Sequence, residues 1–259
     1  MAENRLLKRL NAGETLLGIF SQMPSPTVQE MIALSGYDFS VVDMEHGVLD
    51  YVVVEDMVRA LQGRGALAAV RVSPGDIKSI GKVLDFGADI VLVPQIENRE
   101  MGEKAVDAAK FPPMGHRGAA HVVRAGRYST MNKVQYFAEA NVITSVVLQI
   151  EGLEAAKHAD EIMSIEGVDI IFLGPHDLAQ SLGVPGQPEH PKVVEKMEEL
   201  VKLAREKGKF LGTYVESVEM FKKWSDAGVQ FLAYQSDIDT MASKLMERAS
   251  EAKKAVGRE

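Results

Sequence analysis

The sequence predicts a (β/α)8 barrel, and three observations carry that prediction. Eight short apolar runs recur along the 259 residues, amphipathic segments separate them, and polar residues gather where the runs end. Near-continuous apolar runs of four to eight residues suit parallel strands buried on both faces.

The runs, in order, are LLGIF (16–20), FSVVDMEH (39–46), LAAVRV (67–72), DIVLVPQ (89–95), TSVVLQIE (144–151), VDIIFLGPHD (168–177), KFLGTYV (209–215) and VQFLAYQSD (229–237). Between them, apolar residues fall at helical spacing, as in Val193, Met197, Leu200, Val201 and Ala204. Glycines at 36, 63, 87, 208 and 228 mark the expected helix ends. No repeat, low-complexity stretch or linker divides the chain, so residues 1–259 are expected to form one barrel domain. Residues 111–143 make an unusually long connection between the fourth and fifth strands. Their length, with Arg117, Arg124, Arg127 and Tyr128, suggests a cover for the barrel mouth, a subunit contact or a solvated loop.

Composition is that of an ordinary globular protein, with 46% hydrophobic and 25% charged residues and a net charge of −8. That balance, without a basic run, argues against a nucleic-acid partner. No apolar stretch is long enough to span a bilayer and the first twelve residues are charged, which points to a cytoplasmic protein. The absence of cysteine excludes thiolate nucleophiles and thiolate-bound metals. Any metal must sit on oxygen or imidazole.

In a barrel of this kind the reactive groups belong at the carboxyl ends of the strands. Those ends carry Asp43, Glu45 and His46 on the second strand, Arg71 on the third and Gln95 on the fourth. The fifth ends in Gln149 and Glu151, the sixth in His176 and Asp177, the seventh in Tyr214 and Glu216, the eighth in Gln235 and Asp237. Gln149 and Glu151 are two apart and face one way, while Val146, Leu148 and Ile150 face the other. Glu151 and Asp177 end neighbouring strands and can share a divalent cation of the Mg2+ or Mn2+ type. The plainer alternatives are an N-cap for Asp177 and a solvated strand end for Glu151. His46 titrates in the range useful for proton transfer. Arg71, above an apolar strand, needs an anion, either a substrate carboxylate or enolate or the carboxylates of Asp43 and Glu45. No lysine ends any strand, against a Schiff-base mechanism, and no glycine-rich turn follows the last two strands to cradle a phosphate.

These segments resemble the HpcH/HpaI aldolase family of metal-dependent pyruvate aldolases. The matching stretches are VVDMEHG (41–47), VRV (70–72), LDFGADIVLVPQIEN (84–98), FPPMGHRG (111–118), AN and VVLQIE within 140–151, and GPHDLAQSLG (174–183). Met44, His176, VLD after the EHG and the eighth-strand AYQSD depart from the pattern or match it weakly.

The resemblance implies a homo-oligomer, commonly a hexamer, that binds Mg2+ or Mn2+, with Co2+ a third choice, through Glu151 and Asp177. It implies His46 as general base, Arg71 as stabiliser of developing charge, and Asp85 as the residue that raises the basicity of the histidine. Gln149 and the backbone at His176 and Asp177 would hold pyruvate or another 2-oxo acid, with an aldehyde as second partner. Two other readings stand beside it: a lyase of malyl-CoA or citryl-CoA type, and a non-catalytic barrel that binds small acids.

Overall fold

A computed structural model describes residues 2–258. The eight runs become the parallel strands β1 (Leu16–Ser21), β2 (Phe39–Asp43), β3 (Leu67–Arg71), β4 (Ile90–Val93), β5 (Ser145–Ile150), β6 (Ile170–Leu173), β7 (Phe210–Val215) and β8 (Phe231–Ser236). They pair in sequence order and β8 pairs back to β1, which closes the barrel. Helix α1 (Arg5–Asn11) precedes them; α2 (Pro26–Leu34), α3 (Tyr51–Gly63), α4 (Ile77–Asp85) and α5 (Arg99–Ala109) follow the first four strands. The chain continues through α6 (Lys133–Ile143), α7 (Leu153–Lys157), α8 (Ala159–Met163), α9 (Pro175–Ser181), α10 (Pro191–Glu206), α11 (Val218–Asp226) and α12 (Asp237–Ala255).

Every residue of β2 through β6 is buried, as strands covered on both faces require. Alternation then sorts them. Phe39, Val41, Leu67, Ala69, Ile90, Leu92, Val147 and Phe172 fill the barrel interior, whereas Val42, Val70, Val91, Leu148 and Ile171 pack against the helices. Leu6 and Leu10 of α1 join the interior cluster. Arg9 bonds Asp38, just before β2, and Leu10 accepts from Gln230, just before β8, so α1 closes the amino end of the barrel. The apolar stripe of α10 is buried at all five expected positions, Val193, Met197, Leu200, Val201 and Ala204.

Three expectations change. The second and sixth runs are shorter as strands than as apolar segments, because residues 44–47 turn after β2 and Pro175 starts α9 two residues after β6. Gly63 lies within α3, and the left-handed residue that ends that helix is Gly65, at φ 91°. The connection from 111 to 143 is not a cover for the mouth. It leaves the carboxyl end of α5, and helices run antiparallel to the strands, so it starts at the amino-end rim. There Arg117 bonds Asp85, Arg124 bonds the carbonyl of Phe86, and the amide of Ala125 bonds the carbonyl of Asp85. Its second part is α6.

Candidate active site

The same alternation that fills the interior carries it upward to the mouth. The inward residue after Val41 is Asp43, after Ala69 it is Arg71, and after Val147 come Gln149 and Glu151. Asp43 and Arg71 are register partners across β2 and β3. Arg71 Nε and Nη2 donate to the two carboxylate oxygens of Asp43 at 2.8 and 2.7 Å, and Nη1 lies 3.0 Å from Glu45 Oε2. The guanidinium also sits over Phe20, 4.7 Å from the ring centroid. Both anions anticipated for Arg71 within the protein are therefore real, and its side chain still lines the mouth cavity.

Asp43 has no solvent exposure. Burial alone would raise its carboxyl, but bonds from Arg71, from Gln22 and from the amide of Glu45 outweigh that and hold it below the ordinary range. Asp43 also orders the next turn, because its Oδ1 accepts from the amides of Glu45 and His46. Gly47 closes that turn on the Asp43 carbonyl, where a Cβ would sit 2.3 Å from the oxygen. His46 is thereby fixed at the mouth and lines the same cavity as Arg71, Gln149, His176 and Asp177.

Glu151 is only 6% exposed, which overturns the picture of a solvated strand end. Its Oε1 accepts from the amide of Gln95 at 2.7 Å and its Oε2 from the side-chain amide of Gln149. Burial pushes its carboxyl up to about 8; the Gln95 amide opposes this, and Glu45 and Asp177 add repulsion. Asp177 is not an N-cap either. Gly174 holds that position in α9 with no side-chain cap, and Asp177 stands in the first turn. Gly174 is required at the site, since a Cβ there would meet Glu151 Cβ at 2.6 Å and Gln149 Nε2 at 3.0 Å.

The donor set fits a divalent cation. Asp43, Glu45 and Glu151 lie near one guanidinium, that of Arg71, which the first two already hold, and Asp177 stands beside Glu45 and Glu151. Gln149 is buried, and its Oε1 has no partner. Carboxylate and amide oxygens in excess over positive charge are the ligands Mg2+ and Mn2+ prefer. Among the described residues no group of three or more His, Asp or Glu side chains is arranged to hold a metal ion, so protein side chains of these types do not by themselves form a shell here.

Asp85 is not brought to this mouth. It ends α4 at the amino-end rim, with its carboxylate 2.7 Å from Arg117, whose guanidinium stacks over Phe111. Conversely, Gln95, Gly174, Tyr214 and Glu216 matter more than their sequence context suggests. Gln95 adopts φ 54°, a left-handed conformation uncommon for glutamine, and in it the backbone amide points at Glu151. The strand alternation was the available signal for Tyr214 and Glu216; for Gly174 it was its place at the head of the GPHDLAQSLG segment.

Comparison with known proteins places this geometry. The family model for HpcH/HpaI aldolase/citrate lyase matches residues 16–243. A 2-dehydro-3,6-dideoxy-6-sulfogluconate aldolase of Pseudomonas putida is 36% identical over 93% of each chain. A 4-hydroxy-2-oxo-heptane-1,7-dioate aldolase of Shigella flexneri is 33% identical over 96% of this chain and 91% of that one. The crystal structure of an HpcH/HpaI aldolase from Desulfitobacterium hafniense superposes with a TM-score of 0.90 at 27% identity, covering 98% and 97% of the two chains. A citrate lyase beta subunit from Mycobacterium tuberculosis, at 15% identity and a TM-score of 0.58 over 87% and 93%, shares the fold alone. The chain belongs to the HpcH/HpaI aldolase/citrate lyase family and is a carbon–carbon lyase built on a (β/α)8 barrel.

Proposed function

We propose that the enzyme cleaves 4-hydroxy-2-oxo acids to pyruvate and an aldehyde, and runs the same aldol reaction in the direction of condensation. The observation that carries this reading is the buried Glu151, held beside Glu45 and Asp177 with no guanidinium of its own. A carboxylate so placed needs a cation to stay ionised.

Glu151 and Asp177 would hold a divalent ion, Mg2+ or Mn2+ first and Co2+ next. When bound, such an ion polarises the 2-oxo group and offsets the charge that cleavage leaves on the enolate. Gln149 and the backbone at His176 and Asp177 position the substrate acid. His46 takes the proton of the 4-hydroxyl as the carbon–carbon bond breaks and returns it on condensation. Arg71, kept rigid by Asp43, stabilises the developing enolate charge. Asp85 has no part at the mouth of its own chain, and the role the resemblance gives it requires a neighbouring chain in an oligomer. A homohexamer and a cytoplasmic location complete this reading.

Pyruvate release from a 4-hydroxy-2-oxo acid, followed with and without Mn2+ and with a chelator, tests it. Metal-dependent release is expected. Absence of release with any metal, together with cleavage of malyl-CoA or citryl-CoA, would replace it with the thioester reading.

A further inference from the structure

Strand β1 reaches the mouth in Phe20 and Ser21, and Gln22 follows; the lyase reading above uses none of the three. Phe20 and Gln22 are two apart, face the same way and both line the cavity. Each meets one member of the Asp43–Arg71 pair. The Arg71 guanidinium sits over the Phe20 ring, 4.7 Å from its centroid. Gln22 Nε2 donates to Asp43 Oδ2 at 2.9 Å, the oxygen that Arg71 Nη2 reaches at 2.7 Å. An ionised carboxylate only accepts, so the Gln22 amide has one orientation there.

Ser21, between them, faces the other way and is held from behind. Its hydroxyl donates to Asp237 Oδ2 at 2.6 Å and accepts from Gln29 Nε2 at 2.5 Å. Asp237, the first residue of α12 and buried, also accepts from the backbone amides of Gln22 at 3.0 Å and Met23 at 3.2 Å. Its remaining bond is to the amide of Ile238. A buried carboxylate is costly unless its oxygens are bonded, and this one directs three of its four bonds at residues 21–23. Its reach has a backbone cause. Gly18 pairs with Ala233 but Phe20 pairs with Ser236, and in the slip Gln235 is left-handed, at φ 59°. The extra residue makes a bulge, which re-aims the side chains that follow, and Asp237 is thereby brought to the end of β1.

We propose that the end of β1 is a brace for Arg71. Gln22 and Phe20 are positioning residues that hold the Asp43–Arg71 pair in its working orientation, and Asp237 fixes the brace. The inference rests on the part given to Arg71 in the lyase reading. Ser21 and Asp237 are buried within the one chain, so the brace does not depend on what a neighbouring chain adds at the mouth.

Gln22→Met tests it, because methionine keeps the length of the side chain and removes the donor to Asp43. The assay is pyruvate release from a 4-hydroxy-2-oxo acid with saturating Mn2+. Expected is a fall of about tenfold in kcat and kcat/KM together, with KM within about twofold, as for a group that acts in the transition state. Asp237→Asn, which sets an amide N–H against the donors at Ser21 and Met23, should lower kcat in the same way. The deciding step is the double-mutant cycle with Arg71→Ala. In that background Gln22→Met should change kcat by less than about twofold, since the brace has nothing left to hold. Full activity of Gln22→Met, a rise in KM alone, or the same loss repeated without Arg71 would overturn the inference. Wild-type enzyme that releases pyruvate while Gln22→Met matches it removes the brace alone; wild-type enzyme that releases none with any metal removes the lyase reading itself.

Discussion

Asp43 and Arg71 form a bidentate ion pair at the carboxyl ends of β2 and β3, with Asp43 wholly buried and the Arg71 side chain 8% exposed. The pair fixes the guanidinium in the cavity before substrate arrives. Removing Asp43 leaves the buried Arg71 with Glu45 as its one remaining carboxylate, which costs about 3 kcal/mol, the low end for breaking a buried pair. Asp43→Ala is therefore expected to lower the unfolding free energy by that amount in denaturant titrations. The folded-state pKa of Asp43 lies below its unfolded value of about 3.9. Its contribution is thus present above that pH and lost as pH falls through the folded value.

Arg71→Ala should depress turnover about 100-fold, the scale of losing one preorganised electrostatic contact. Metal affinity, measured by titration calorimetry with Mn2+, should change far less, because Glu151 and Asp177 remain. Arg71→Lys should recover little, since an ammonium cannot bond both Asp43 oxygens in the plane.

The carboxyl of Glu151, raised to about 8, makes a pH prediction with the opposite sign. Its folded state binds the proton more tightly than its unfolded state. The stability it contributes to the metal-free protein is complete below the unfolded pKa of about 4.3 and is lost as pH rises through about 8. A metal ion competes with that proton, so Mn2+ affinity should climb over the same range. Melting curves from pH 5 to 9, with and without Mn2+, should diverge as pH rises. Glu151→Gln should flatten the metal-free trend and abolish the divergence.

Gly174→Ala places a methyl group 2.9 Å from Glu151 Oε2 and 3.0 Å from Gln149 Nε2. Both side chains must move. The expected result is a loss of metal affinity of about tenfold or more, the scale seen when the groups that orient a ligand are disturbed. Calorimetry on the variant, compared with its melting curve, checks that the loss is local.

At the other rim, Asp85→Asn strips the carboxylate from Arg117, whose side chain is 1% exposed. A loss of roughly 3 kcal/mol is expected, at the low end for a buried pair because Asp85 is itself partly exposed. Chemical denaturation is the readout. The residue's first duty within its own chain is to pin residues 110–126 onto the end of α4.

The barrel was legible because its strands are buried on both faces, so that runs such as SVVLQI and FSVVD have no other use. Alternation along those runs was also enough to place Gln149 and Glu151 on one face. What lay beyond reach was closure in three dimensions. Sequence named Asp43 and Glu45 as partners for Arg71 but not the bidentate geometry. It gave no sign that the left-handed Gln95 aims its amide at Glu151, or that Gly174 is there to let that carboxylate in. The length of 111–143 drew attention to the right segment but to the wrong end of the barrel, since length does not say where a helix delivers the chain. For Asp85, its place at the end of a helix already set it apart from the strand-end residues, and its ion pair with Arg117 accounts for it structurally.

The central claim is that Glu151, with Asp177, holds a cation that lets this site form an enolate. Deuterium exchange into the methyl group of pyruvate, followed by proton NMR with Mg2+ or Mn2+, with EDTA, and in the Glu151→Gln and His46→Ala variants, tests it most directly. Metal-dependent exchange, lost in EDTA and in both variants, is the predicted result. Exchange that persists in EDTA or in Glu151→Gln, or no exchange with either metal, would contradict it.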